Sequence, residues 1–485
     1  MDVAPVPFFI PGTRPKERMN NLKTTAIRRL ISGTLSAALL ALTAAGCSDK
    51  PAESSASGAS TTSPSTSSTS SASSTVPSNT TTALSASNTT TTTAAKTPVT
   101  TAPNKTNPPV TTAPTISYPD KDFDPVDKSL LYGVCYVQYS MSNRVSNAKA
   151  AEMIAGIGAK SVRVWNHMTY VMSDYKTIVD SAAAPYHELY KALKAKGVKQ
   201  IIGMSHFHYL DIDLSHFPNG WNSTTWVPKR DKTPGSDYMK FLQQYEIAWK
   251  TLAAEFPEVD CWEIGNEWNH DPFMNPIDYT DGSNGVYAFS LNEKADISTD
   301  LMFAAHKGIK AGNPKATAIM PAMAPVDGMW GIMMDHYLER IYDNIDSGAF
   351  GSTNSDDFFD ALAWHPYSPS KCPDVNDWVK ANQRLYAIAQ AHGDDGKKVY
   401  LTEVGFPDGG SSANDAKHKD WVKEMYRLTK EQLPFVESLH YYRLFDDGAD
   451  SYGLFADPAV TGGQIKIKEK GKAYLEIAGG TGKFS

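Results

Sequence analysis

Residues 117–485 read as a (β/α)₈ TIM barrel, an α/β fold with long βα loops, preceded by a disordered Ser/Thr-rich linker. Three observations predict this. Short apolar runs alternate eight times with longer amphipathic ones from Leu130 onward. The chain holds 51 Phe, Trp and Tyr residues, and only Phe8 and Phe9 precede Tyr118. Ser and Thr make up 30 of the 50 residues from Pro51 to Thr100. A stretch without large apolar side chains cannot offset its ordering entropy, so 485 residues contain one large folded unit rather than three domains.

The predicted strands are Leu131–Val137, Ser161–Trp165, Gln200–Ser205, Cys261–Gly265, Ala316–Pro321, Phe359–His365, Val399–Glu403 and Leu439–Leu444. Each is short and largely apolar, as strands covered on both faces are. The predicted helices are Asn147–Ile157, Pro185–Lys196, Ser236–Phe256, Ala295–Ala311, Trp330–Ile345, Val375–His392, Asn414–Glu431 and Glu469–Ala478. They carry apolar residues three and four apart, and several begin at Ser, Asp or Asn. A doubly wound open sheet would more often show an early Gly-rich phosphate turn. No G-x-G-x-x-G follows the first strand, and no G-x-x-x-x-G-K-[ST] occurs anywhere.

Formal charge is −7. Residues 1–116 hold nine Lys/Arg and four Asp/Glu, which leaves 37 against 49, or −12, in the folded part. That balance excludes a nucleic-acid partner, whose phosphates call for a positive face, and weakly disfavours anionic polymers.

The N-terminus divides in two. After Met19 come Lys23, Arg28 and Arg29, an apolar stretch from Leu30 to Leu42, and Thr43-Ala44-Ala45-Gly46-Cys47. A basic start, a short apolar core and small residues before a cut are secretory-signal features. Ala44-Ala45-Gly46-Cys47 resembles a bacterial lipobox, which implies lipidation of Cys47 and anchoring through membrane lipid at the extracellular face of a bacterial membrane. The expected organisation is a signal segment at 1–47, a linker at 48–116 and a catalytic barrel at 117–485, acting as a monomer. Cys135, Cys261 and Cys372 read as small hydrophobes rather than as a disulfide or a nucleophile.

Barrel sites gather at the C-terminal ends of strands. The fourth strand ends in Cys261-Trp262-Glu263-Ile264-Gly265-Asn266-Glu267-Trp268-Asn269. If Trp262 and Ile264 face the helices, Glu263, Gly265 and Glu267 point inward. The seventh ends in Val399-Tyr400-Leu401-Thr402-Glu403-Val404-Gly405. Two carboxylates across one barrel mouth suit glycoside hydrolysis, in which one protonates the leaving oxygen and the other attacks the anomeric carbon or activates water.

Gly265-Asn266-Glu267 and Leu401-Thr402-Glu403-Val404-Gly405, on the fourth and seventh strands and 136 residues apart, resemble clan A of the glycoside hydrolases over essentially all of 120–485. That resemblance implies a retaining enzyme with Glu267 as acid/base and Glu403 as nucleophile. It implies that Asn266 holds the sugar 2-hydroxyl and that Arg163 hydrogen-bonds the nucleophile. It also implies that His365 and Tyr367, in Trp364-His365-Pro366-Tyr367, line the site. His206 fits substrate or supporting hydrogen bonds. Cellulase-like relatives often place Trp on the eighth strand, where Tyr442 or Arg443 stands here. Trp165 and Trp268 are the preferred candidates for the apolar platform under a sugar.

The carboxyl groups should lie roughly 5–5.5 Å apart, the retaining separation. Arg163 and Tyr367 should lower the Glu403 pKa, and the Glu403 charge should raise that of Glu267. No metal or organic cofactor is implied. The expected substrate is an extracellular oligo- or polysaccharide; the clan resemblance implies equatorial β-linkages, with sugar identity and endo or exo action left open. The rival readings are a metal-dependent hydrolase using His206, His208, Asp211 and Asp213, and a non-catalytic carbohydrate-binding lipoprotein.

Overall fold

The computed structural model describes residues 126, 128–206, 225–270, 273–276, 289–326, 333–368, 370–448 and 450–484. The signal, linker and Cys47 expectations lie outside them, as do His208, Asp211 and Asp213.

The main sheet has eight parallel strands: β1 (Leu131–Tyr136), β2 (Ser161–Trp165), β3 (Gln200–Ser205), β4 (Cys261–Ile264), β5 (Thr317–Ile319), β6 (Leu362–Ala363), β7 (Val399–Val404) and β8 (Val436–Tyr441). Their spatial order is β6-β7-β8-β1-β2-β3-β4-β5. The bridges Ile319↔Ala361 and Met323↔Trp364 join β5 to β6 and bring the sheet round into a nearly closed barrel. The fold expected from sequence is therefore the fold present.

Among the described residues, eight helices longer than two turns cover it: α1 (Asn147–Gly156), α2 (Asp180–Ala195), α3 (Asp237–Glu255), α4 (Leu291–Gly312), α5 (Met334–Asp346), α6 (Lys380–Ala391), α7 (Ser412–Gln432) and α8 (Glu469–Ile477). Ser146, Ser236, Ser290 and Ser411 cap α1, α3, α4 and α7, each accepting a backbone N–H three residues on. Between sheet and helices lies a continuous apolar layer. Trp262 belongs to it, with its ring 5.9 Å from that of Trp249 on α3. The inward-outward assignment of β4 holds to that point.

Several boundaries differ from expectation, and three of them show how. Helix α2 begins five residues before Pro185, which sits in its second turn. Proline favours a first-turn position because it lacks an N–H, but here the helix tolerates the loss further in. Strand β8 stops at Tyr441, short of the expected Leu444. The backbone of Tyr442 still donates to Val404 at 2.7 Å, but the chain then leaves the ladder through a cis Tyr442–Arg443 peptide. Helix α6 is preceded by a π-helical turn at Val375–Val379, which turns Trp378 into the core, where its indole N–H meets Thr429 Oγ1 at 3.0 Å.

The free cysteines Cys135 and Cys261 are buried in β1 and β4, in keeping with a packing role, and Cys372 is partly exposed. No helix among the described residues is long and apolar enough to cross a membrane.

Candidate active site

Arg163 organises the barrel mouth. It lies on β2 with no exposed surface. Its Nε and one terminal nitrogen donate to both oxygens of Glu263, at 2.7 and 2.8 Å. Its other terminal nitrogen donates to Glu403 at 2.7 Å, and the fork is completed by Asn266 Oδ1 at 2.8 Å. A buried guanidinium is stable only when its donors are met by charge and geometry, and this one is fully engaged. Glu263 is equally buried. It balances the arginine, so the Arg163–Glu403 bond does not stand alone in the apolar interior.

Glu403 receives a second hydrogen bond from the Tyr367 hydroxyl, at 2.8 Å. A bulge sets its direction. Leu401 pairs with Leu439, and Val404 with Tyr441, so β7 spends one residue more than β8 over that interval. The Tyr400 side chain lies within electrostatic reach of Cys261 and Gln200 across the barrel, and Thr402 reaches His365. Plain alternation would then turn Glu403 outward, and the extra residue re-aims it.

Glu267 arrives differently. β4 ends at Ile264, and Gly265 and Glu267 both take left-handed backbone, with φ of 90° and 49°. For a non-glycine residue this is strained, and it persists only where surrounding contacts impose it. Here Glu267 N–H donates to Ala322 at 2.8 Å, and its carbonyl accepts from His270 N–H at 2.8 Å. Asn269 exchanges two 2.8 Å bonds with the backbone of Ala324. Trp268 lies against Gly265, where an added Cβ would fall 2.4 Å from the indole.

The Glu267 side chain meets His365 Nδ1 at 2.7 Å, while His365 Nε2 meets Thr402 Oγ1 at 3.1 Å. His270 Nδ1 is 3.8 Å from the other Glu267 oxygen, too far for a hydrogen bond but close enough for charge to act. Glu267, His365 and Glu403 each present one ligand-type atom within 4.8 Å of the others. A cation placed there would face the Arg163 guanidinium already seated on Glu403, which disfavours the metal reading.

The protonation pattern reverses the expected one. Burial raises the Glu403 pKa, and His365, Arg163 and the Tyr367 bond only partly offset this. Burial also raises Glu267, but His270 and His365 lower it further, so it lies below the ordinary carboxylate range. The expected pattern rests on the carboxylate pair, Arg163 and Tyr367. It omitted two imidazoles beside Glu267, and it omitted Glu263, which shares the arginine charge.

The structure brings Arg163, Asn266, Glu267, His365, Tyr367 and Glu403 together. Trp165 and Tyr442 lie beside them: the Arg163 guanidinium sits 4.4 Å above the Trp165 ring, and Trp165 meets Tyr442 edge-on at 6.2 Å. Both remain partly exposed. Tyr452 links Tyr442 to Tyr367, at 5.4 and 6.1 Å, and extends this aromatic wall. Two candidates fall elsewhere. Trp268 is 1% exposed and bonds Thr225 through its indole N–H at 3.2 Å, so it is a wall behind Glu267 and offers no face to a ligand. His206 is also 1% exposed and packs on His167 with ring centres 4.2 Å apart.

Glu263, His270, Asn269 and Tyr452 carry no assigned role in the sequence reading. Alternation along β4 does mark Glu263 as inward. Nothing in the sequence marks the other three, whose positions follow from turns.

No family model matches the sequence. No curated protein matches it either. Among solved structures, the chain is similar to a family 39 glycoside hydrolase from Bacteroides cellulosilyticus WH2, at 17% identity and a TM-score of 0.48, over 73% of this chain and 64% of that one. The chain therefore spans under two thirds of that enzyme's length. It is similar to a GH39 enzyme from Xanthomonas axonopodis pv. citri at 16% identity and a TM-score of 0.48, over 74% and 68% of the two chains. It is also similar to a family 1 β-glucosidase from Thermotoga maritima at 13% identity and a TM-score of 0.48, over 74% and 100%.

Proposed function

We propose that the barrel is a retaining glycoside hydrolase acting on oligo- or polysaccharide. The observation that carries this reading is the pair of carboxylates at one barrel mouth, with oxygens of Glu267 and Glu403 within 4.8 Å. So close an approach of two carboxylate oxygens favours the retaining arrangement, with carboxyl groups roughly 5–5.5 Å apart, over an inverting pair at roughly 6.5–9.5 Å.

Glu403 attacks the anomeric carbon and forms a glycosyl-enzyme. Arg163 and Tyr367 hold its two oxygens and fix the attack direction. Glu267 protonates the leaving oxygen and then activates water for the second displacement. In the free protein its carboxylate is hydrogen-bonded to His365 at 2.7 Å, and His365 is fixed from behind by Thr402. Asn266, held by Arg163, presents its amide toward the sugar 2-hydroxyl. No step calls for a cofactor.

Proton NMR of the first-formed product is the test. Retention of anomeric configuration is the expected result, and inversion would remove the nucleophile role from Glu403.

We also propose the segment organisation read from sequence, with Cys47 lipidated and residues 48–116 as a tether at the extracellular face of a bacterial membrane. Cys47→Ser should move the protein from the membrane fraction to the soluble one. Unchanged fractionation would contradict the anchor.

A further inference from the structure

The mouth carries an aromatic feature outside the catalytic cluster. Gln138–Met141 and Met168–Val171 form single helical turns directly after β1 and β2. Tyr139 and Tyr170 project from them, 44% and 36% exposed, whereas most large apolar side chains of the barrel are buried. Their rings lie 5.2 Å apart, and His167 backs both, at 6.0 and 5.4 Å. Exposed tyrosines held by a buried ring form a preset apolar face, which costs little entropy when a ligand settles on it.

The edge of this face is polar. Tyr139 lies within electrostatic reach of Arg443 and Asp447. Arg443 donates to Asp447 at 2.9 Å and to the Tyr442 hydroxyl at 3.2 Å, and Arg144 donates to Asp447 at 2.8 Å. Arg144 and Asp447 each keep about a quarter of their side chain in solvent, at 28% and 25%. The two rings are tilted 52° to each other, so they form a shallow apolar notch, and a notch bordered by donors and acceptors matches a pyranose, whose C–H groups present one apolar side and whose hydroxyls ring it.

Its position gives direction. On the glycosidase reading, the sugar attacked by Glu403 would lie against Trp165 and Tyr442, which flank Arg163, and its leaving group would lie by Glu267, which meets His365 beyond β6. Moving from that sugar away from the leaving group passes Tyr442 and Arg443 and reaches Tyr139 and Tyr170. We infer that Tyr139 and Tyr170 form a second sugar subsite on the glycone side, so that the substrate carries at least two sugar units before the cleaved bond. This rests on the glycosidase reading above.

The probes are paired p-nitrophenyl glycosides, a monoside and the matching bioside: β-glucoside with β-cellobioside, and β-xyloside with β-xylobioside. The full chain is used, with Tyr139→Ala/Tyr170→Ala and Tyr139→Phe/Tyr170→Phe variants checked for fold by circular dichroism. The wild type should favour the bioside of its preferred sugar. The double Ala variant should lower the bioside-to-monoside ratio of kcat/KM at least tenfold, mainly through KM, and the double Phe variant should keep the ratio within about threefold. A ratio that does not change in a folded Ala variant overturns the subsite and leaves the glycosidase reading intact. No release of p-nitrophenol by the wild type from any of the four overturns both.

Discussion

The tips of β4 and β7 supply the two carboxylates by opposite means. Glu403 lies inside a strand, between the Leu401 and Val404 pairings with β8, and its carboxylate is clasped by Arg163 and Tyr367. Glu267 lies beyond its strand in a left-handed turn, held by Ala322, by the Trp268–Gly265 contact and by an imidazole. A nucleophile, the role proposed for Glu403, must point at one atom, and a strand with a bulge gives that precision. An acid/base, the role proposed for Glu267, must gain and lose a proton in alternate steps, and here that carboxylate has one hydrogen-bonded imidazole, His365, beside it. The contrast lies between a group fixed by charge and one held by a neighbouring imidazole.

Substituting the carboxylates breaks the comparison most severely. Glu403→Ala should lower kcat by about 10⁴-fold or more on every substrate, because no covalent intermediate forms. Glu267→Ala should cost roughly 10²–10⁴-fold where the leaving group needs a proton. It should cost far less on a 2,4-dinitrophenyl glycoside, whose phenolate leaves unaided. Steady-state kinetics on two leaving groups measures the difference, and equal losses on both would contradict the acid role.

The supports come next. Arg163→Lys keeps the charge but loses the fork, leaving Glu263 or Glu403 poorly met, and should reduce kcat by roughly 10²–10³-fold. Gly265→Ala forces a Cβ onto the Trp268 indole at φ 90°, and should destabilise the protein by about 1–3 kcal/mol. Its effect on catalysis should follow Glu267, with larger losses on poor leaving groups. If Gly265→Ala changed good and poor leaving groups alike, the turn would not be what aims the acid.

Stability in acid is the smallest effect expected. Burial, with Arg163 adding to it, pushes His440 down to about 3. Burial, then the Lys470 charge, pushes His418 down to about 4. Below the ordinary value of 6.5, the unfolded chain takes up protons that the folded rings refuse. Stability therefore falls as pH drops from about 6.5 toward 4 and then 3. The lowered Glu267 acts in the same sense, and the raised Glu403 opposes it. Thermal melts should show a midpoint lower by several degrees at pH 4.5 than at pH 7. His440→Gln, which removes the ring that bonds Ser161 at 2.7 Å, should flatten that slope.

The sequence disclosed the barrel well, because buried parallel strands and amphipathic helices write their periods into the residues. It disclosed both carboxylates through the strings around them. It did not disclose how they come to face one another. Alternation alone assigns Glu403 to the wrong face, since the bulge between Leu401 and Val404 has no residue signature. It assigns Glu267 to the right face for the wrong reason, since the strand ends three residues earlier. Trp268 illustrates the same limit: beside a catalytic residue it reads as a sugar platform, yet the φ of Gly265 turns it inward against the glycine. The protonation pattern was hidden because it depends on His270 and His365, which come close to Glu267 only through a turn and a distant strand.

The central claim is that Glu403 forms the bond to the sugar. Incubation with a 2-deoxy-2-fluoro glycoside of the preferred sugar, followed by peptide mass spectrometry, addresses it directly. The expected result is one fluoroglycosyl group per chain, on Glu403 and absent from Glu403→Gln. Attachment to Glu267 or Glu263, with Glu403 unmodified, would contradict the assignment.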